Sequence, residues 1–260
     1  MQDRVRITVT DHVADVKLIR SEKMNALDPA MFAGIAEAIE QLSGMAEVRC
    51  VVLSGEGRAF CAGLDMASMA SGGSGASLAD RTHGLANAPQ HAAWGWRTLP
   101  MPVIAAVHGV AFGGGFQIMS GADIRIASPH ARFAIREVYW GLVPDMAGIA
   151  LWRGIARDDV LRELTYTARE FDGPEALALG FVTKLADDPW AEAHALAKQI
   201  ADRNPEAVRG SKKLFNLQPD LDSAAILQAE SDVQLGVIRR PNQIEQVMAN
   251  MEKRAAVFVD

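Results

Sequence analysis

Two short stretches carry the residue types best suited to chemistry. Phe60-Cys-Ala-Gly-Leu-Asp65 follows an apolar run at 50–54, and His108-Gly-Val-Ala-Phe-Gly-Gly-Gly115 follows a second at 103–107. Glycine has no Cβ, so it lets another backbone approach closely and leaves its N–H uncovered. A helix that starts at such a turn adds N–H groups with no intrahelical acceptor, whose partial positive charge suits a negative group. If the strands at 50–54 and 103–107 are neighbours in one sheet, two N–H groups can converge on one point. Two such donors are what a carbonyl requires as it becomes an enolate, an oxyanion hole. Close strand–helix packing is the competing explanation for an isolated Gly-Gly-Gly. The second glycine turn upstream favours the chemical one.

Positioning those turns requires a sheet with helices around it. Residues 5–10 and 13–19 read as two strands joined at Asp11-His12, and Asp28-Pro29 opens a helix to about residue 42 after an irregular link. Strands are expected at 49–54, 103–107, 124–127 and 133–135, with a buried helix opening at 116–119. Helices are expected at 90–99 and 160–167, and after a loop at 140–145 another runs through 152. Residues 171–185 read as a short helix ending at Gly180, then a strand. From 190 onward the chain reads as helix, broken at Asn204-Pro205 and Gln218-Pro219. Strand–helix alternation followed by helices alone predicts an α/β core over 1–200 and a helical region over 201–260. Ser-Gly-Gly-Ser-Gly-Ala-Ser at 71–77 reads as a mobile loop rather than a linker, because alternation resumes on both sides.

Composition narrows the partners. Of 260 residues, 49% are hydrophobic and 22% charged, as in a soluble globular protein with a sizeable core. The net charge of -6 and the lack of a basic block argue against nucleic acid, which requires clustered Lys and Arg. The polar N-terminus lacks a signal peptide's apolar core and no run reaches membrane-spanning length, so neither export nor a membrane is expected. Cys50 and Cys61 show no metal or redox spacing, which predicts a reduced, cytoplasmic setting with Cys50 in a buried strand and no metal site.

The order of these blocks resembles one family along nearly the whole chain. Phe60-Cys-Ala-Gly-Leu-Asp65, His108 to Gly115, Ala122-Asp123, the segment 20–27, Gly173 to Val182 and the ending Glu252 to Phe258 are similar to the signature blocks of the crotonase superfamily, the enoyl-CoA hydratase/isomerase family. The resemblance implies a ββα superhelix of the ClpP/crotonase-like kind. It also implies a C-terminal helical region used to form trimers or dimers of trimers, and coenzyme A thioesters as substrates. No permanently bound cofactor is implied; coenzyme A arrives as part of the substrate. The oxyanion-hole N–H groups would be those of Leu64 and Gly114. Coenzyme A would lie near Asn25, Ala26, Ala62, Asp65 and Met66, with phosphate contacts from Arg20, Lys23 or Lys253, and Trp140 could line the acyl pocket.

The resemblance also locates acid/base groups, with one departure. Family hydratases carry two glutamates, and Phe133-Ala-Ile-Arg-Glu137 matches the second. Gln117 stands where the first would be, and an amide neither takes nor gives a proton in the working pH range. Asp145 matches an acidic residue that dienoyl-CoA isomerases of the family set opposite the glutamate, although those also carry an aspartate at the Gln117 position. Asp145 could also be a helix N-cap after Pro144, which can coexist with catalysis, and Gln117 could contact substrate or fill the former carboxylate's space. The expected activity is that of an enoyl-CoA hydratase/isomerase with Glu137 as acid/base. The alternatives are a two-carboxylate isomerase using Glu137 and Asp145, and an acyl-CoA-binding protein without turnover.

Overall fold

A hairpin begins the chain. In the computed structural model, β1 (Val5–Thr10) and β2 (Val13–Leu18) pair antiparallel, Val5 opposite Leu18 and Thr10 opposite Val13. The turn residues Asp11 and His12 both hold positive φ, 47° and 65°, as a tight primed turn requires. The structure describes residues 2–70 and 74–260, so part of the Ser/Gly segment expected to be a mobile loop lies outside the described residues. Helix α1 (Pro29–Ser43) opens as expected: Asp28 accepts a hydrogen bond from Met31 N at 2.7 Å and Pro29 takes the first helical position, a cap worth about 1 kcal/mol.

Strand β3 (Cys50–Gly55) is buried at every position, the pattern of a strand covered on both faces. After it come α2 (Met66–Ala70), α3 (Ala88–Thr98), β4 (Val103–Val107), β5 (Val110–Phe112), α4 (Gly114–Ser120), β6 (Ile124–Ala127) and β7 (Arg132–Ala134). Then follow α5 (Gly148–Leu151), α6 (Asp158–Thr167), β8 (Phe171–Asp172), α7 (Gly173–Ala178), β9 (Lys184–Leu185) and α8 (Pro189–Ala201). The chain finishes with α9 (Pro205–Leu217), α10 (Ser223–Val237) and α11 (Pro241–Glu252).

Among the described residues the main sheet has the order β1-β2-β3-β4-β6-β9 and is parallel from β2 onward. A second small sheet has the order β5-β7-β8. Alternation along the central strands sorts two cores. Val51, Leu53, Val103 and Ala105 face α1 and α3 through Ile35, Leu42, Ala92 and Trp96. Cys50, Val52, Ile104 and Ala106 face Ala193, Ala197 and Ala201 of α8. This is a mixed α/β fold with a helical C-terminal region.

Three local expectations need correction. Residues 110–112 form strand β5 rather than a turn, because they pair with β7, a partner invisible to local pattern. The tail breaks once more than expected, at Arg239 with φ 64°, and Pro241 then opens α11. The last residues are not helical: Phe258 is buried, and Arg49 bonds the Asp260 carboxylate at 2.8 Å and the Phe258 carbonyl at 3.4 Å.

Candidate active site

The neighbouring strands β3 and β4 run parallel, Val51 beside Val103, so the glycine turns that follow them emerge side by side. Backbone bonds then lock the turns together: Cys61 N donates to Val110 O at 3.0 Å and Phe112 N donates to Cys61 O at 3.1 Å. Contact is so close that a Cβ on Gly63, where φ is +90°, would sit 2.7 Å from the Phe112 carbonyl oxygen and 3.7 Å from Gly114 N. A Cβ on Gly115 would meet the Cys61 carbonyl oxygen at 2.4 Å. Gly113 caps α4 with φ 50°, and the N–H groups of Leu64 and Gly114 donate no backbone hydrogen bond among the described residues. Below, the Phe116 ring lies 5.1–6.1 Å from Phe133, Trp152, Phe171 and Phe181, an aromatic cluster that fixes α4 against the small sheet.

A cleft of about 980 Å³ opens over these turns, lined by Ala62 to Met66, Gly113, Gly114, Glu137, Trp140 and Asp145 among others. Glu137 is 9% exposed, and burial pushes its carboxyl pKa above the ordinary glutamate value. A hydrogen bond from Gln117 pulls the other way, and the nearby Asp145 charge raises it further. The Glu137 Oε1 atom accepts from Gln117 Nε2 at 2.6 Å, while Oε2 has no hydrogen-bond partner among the described residues. Asp145 stands at the solvent-facing mouth, yet enough protein surrounds its carboxyl to push its pKa up by desolvation.

Gln117 does not line the cleft. It is 1% exposed and sits behind Glu137, its Oε1 accepting from Met146 N at 3.0 Å and Gly148 N at 2.8 Å. Direct substrate contact, one of the two expectations for this residue, is therefore withdrawn. The helix-cap reading of Asp145 is also corrected: the N-cap of α5 is Ala147, with φ 69° and no side-chain bond.

On the other side of the glycine turns, Asp65 accepts from Ala67 N at 2.9 Å and Ser68 N at 3.2 Å, and Arg20 Nη1 reaches its Oδ2 at 2.9 Å. Arg20 also bonds the Ala26 carbonyl at 3.0 Å, so the guanidinium braces the turn that carries Leu64. Asn25 is fully buried and off the lining; its Nδ2 donates to the carbonyls of Glu56, Ala59 and Phe60. Ala26 and Lys23 line the cleft. Lys253 ends α11 in a left-handed conformation and does not line it. Arg58, exposed on the rim, and Arg136 line the cleft without having been singled out. Arg58 lies in the Gly55-Glu-Gly-Arg58 turn just before Phe60, and that position was the available signal.

Residues 8–260 match the family model described as enoyl-CoA hydratase/isomerase. This chain belongs to the enoyl-CoA hydratase/isomerase (crotonase) family. The mouse mitochondrial Delta(3,5)-Delta(2,4)-dienoyl-CoA isomerase is 34% identical over 94% of this chain and 77% of its own length. A short-chain-enoyl-CoA hydratase of Clostridium acetobutylicum is 32% identical over 84% of each. The crystal structure of an enoyl-CoA hydratase from Bacillus anthracis superposes with a TM-score of 0.88 at 29% identity, covering 98% of both chains. In an enoyl-CoA hydratase/isomerase, coenzyme A thioesters are the fitting substrates. Among the described residues no group of metal-ligating side chains and no helix long and apolar enough to cross a membrane occurs.

Proposed function

We propose that this chain moves a proton on an acyl-CoA thioester whose carbonyl is held, as it becomes an enolate, by the N–H groups of Leu64 and Gly114. The observation that carries this reading is the place of Glu137. It is a buried carboxylate of raised pKa in the same cleft as the glycine turns, its carboxyl carbon 3.8 Å from where a Cβ on Gly113 would be. The thioester carbonyl would accept from both N–H groups, and Glu137 would take a proton from carbon while the electron pair moves onto the carbonyl oxygen. Raised pKa values suit a general base working near neutrality.

Double-bond isomerisation is favoured over hydration. Syn-addition of water leans on two groups that exchange protons, and the amide at 117 is neutral and lies outside the cleft. Asp145 does line the cleft and is close enough to raise the Glu137 pKa. Two carboxylates at one acyl chain can take a proton from one carbon and deliver one to another. Exposed apolar residues on α9 to α11, among them Phe215, Leu227, Leu235 and Met251, support the reading of residues 201–260 as a helical region for assembly into trimers or dimers of trimers.

A screen of purified protein on 2-enoyl-, 3-enoyl- and 3,5-dienoyl-CoA esters, beside Glu137→Gln and Asp145→Asn, tests the assignment. Isomerisation is expected, with each substitution lowering kcat by about 10²–10⁴. Hydration lost in Glu137→Gln and retained in Asp145→Asn would replace the shuttle by a one-carboxylate hydratase. Tight acyl-CoA binding with no turnover would leave a binding protein.

A further inference from the structure

Gln117 is a buried polar side chain in contact with Glu137 that this mechanism does not use. Its surroundings dictate which way the amide faces. Two backbone N–H groups, of Met146 and Gly148, point at one end, and only the amide oxygen can accept there. The amide nitrogen is thereby turned to Glu137 Oε1, at 2.6 Å. Nothing larger than glycine is accommodated at 148, where a Cβ would stand 2.7 Å from Gln117 Oε1. One side chain thus ties the segment just after β7, where Glu137 sits, to the residues directly after Asp145.

We infer that Gln117 is a positioning residue: a two-ended amide strut that holds the Glu137 carboxylate and the Asp145 loop in fixed relation and confines the proton that Glu137 carries to Oε2. The second part follows from hydrogen-bond polarity. An amide N–H can only donate, so Oε1 remains an acceptor whether or not Glu137 is protonated, and the unpartnered Oε2 is the oxygen left to hold the proton. A glutamate at 117 would accept from the same two backbone N–H groups, but could donate to Glu137 only when itself protonated. The amide at 117 supplies permanently what a carboxyl there would supply in one protonation state.

The inference rests on the proton-transfer reading above, and its test separates the two. The variants are Gln117→Met, which loses both ends, and Gln117→Glu, which keeps the end facing Met146 and Gly148. Infrared difference spectra across a pH titration report the Glu137 carboxyl directly, its band identified by loss in Glu137→Gln, with no turnover needed. Removing a donor from a carboxylate disfavours its ionised form. In Gln117→Met the Glu137 midpoint is expected to rise by about one pH unit. The acidic limb of kcat/KM should follow it, with kcat down about ten-fold and KM within about three-fold. Gln117→Glu should titrate in two coupled steps, because two carboxyls then share one proton.

An unmoved midpoint and pH profile in Gln117→Met, whatever its melting temperature, would reduce Gln117 to core packing and overturn the inference. Should that variant not fold, a single unshifted Glu137 step in Gln117→Glu would overturn it equally. If Glu137→Gln keeps full activity, the proton-transfer reading fails while the carboxyl titration still decides the strut.

Discussion

The inner wall of the cleft and its rim are built on different physics. On the inner wall, Gly63 and, behind it, Gly115 lie against carbonyl oxygens at distances no side chain would tolerate, and Gln117, packed behind the wall, spends its amide on Glu137 and two backbone N–H groups. On the rim, Trp140 is 44% exposed and Leu142 48%, beside a short turn at Val138–Trp140. Holding a carbonyl oxygen and a carboxylate in register demands tenths of an ångström, so the inner wall is made of backbone and saturated hydrogen bonds. Gripping an acyl chain demands only removal of apolar surface from water, which has no preferred direction. One region should fail steeply under substitution and the other gradually.

The sharpest way to break that contrast is a pair of glycine substitutions. Gly63 and Gly141 both hold positive φ, +90° and +73°, so alanine strains the backbone at each. At Gly141 a Cβ would meet nothing within 4 Å, whereas at Gly63 it meets the Phe112 carbonyl oxygen at 2.7 Å. Gly63→Ala is expected to push the two turns apart and lower kcat by about 10²–10³, the usual cost of losing one oxyanion donor. Gly141→Ala should cost about 1 kcal/mol of stability and leave kcat within about two-fold. Steady-state kinetics beside thermal melts measure both. Equal losses of kcat at the two sites would abolish the distinction.

A smaller effect tests whether the inner wall sacrifices stability for function. Burial raises the Glu137 pKa in the folded chain, so as pH rises the unfolded chain gives up this proton first. Stability therefore falls with pH between the ordinary glutamate value and the raised folded one, and the loss is complete above it. Glu137→Gln removes the titration. The variant should match the parent at pH 4 and melt higher at pH 8, by about 1.4 kcal/mol for each unit by which the pKa is raised. A variant less stable at pH 8 would mean the carboxylate is a stabilising member of the wall.

The same contrast governs what the sequence could reveal. Strands 50–54 and 103–107 were legible because a continuous apolar run marks a strand covered on both faces, and Asp28-Pro29 because capping is local chemistry. The pairing of the glycine turns follows from those strands being neighbours. The work of Gln117 was not legible, since its partners Met146 and Gly148 lie far along the chain and offer only main-chain N–H groups, which every residue but proline has. The inward turn of the Asn25 side chain is hidden for a related reason. Its neighbour Ala26 does line the cleft, but its own amide turns inward to three carbonyls of the 56–60 turn, and a motif does not say which way a side chain points.

Trp140 offers the gentlest test, because here both the energy and the geometry should be forgiving. Its ring stands edge-on to Tyr139 with centroids 5.1 Å apart, and it lines the cleft while remaining half in solvent. Little of the fold rests on it, so Trp140→Ala should leave the melting temperature almost unchanged. The apolar surface it would share with a bound acyl chain, about 40 Å², would be worth about 1 kcal/mol at 25 cal/mol per Å², so KM for long acyl esters should rise about five-fold. A uniform loss of binding leaves kcat alone, and a two-carbon or four-carbon acyl group should barely register the change. KM and kcat measured across a series of acyl lengths separate these cases. If kcat instead falls as steeply as in Gly63→Ala, and for every acyl length alike, the indole is setting the position of the carbonyl. The rim would then belong to the inner wall, and the division between a directional and a non-directional half of the cleft would not hold.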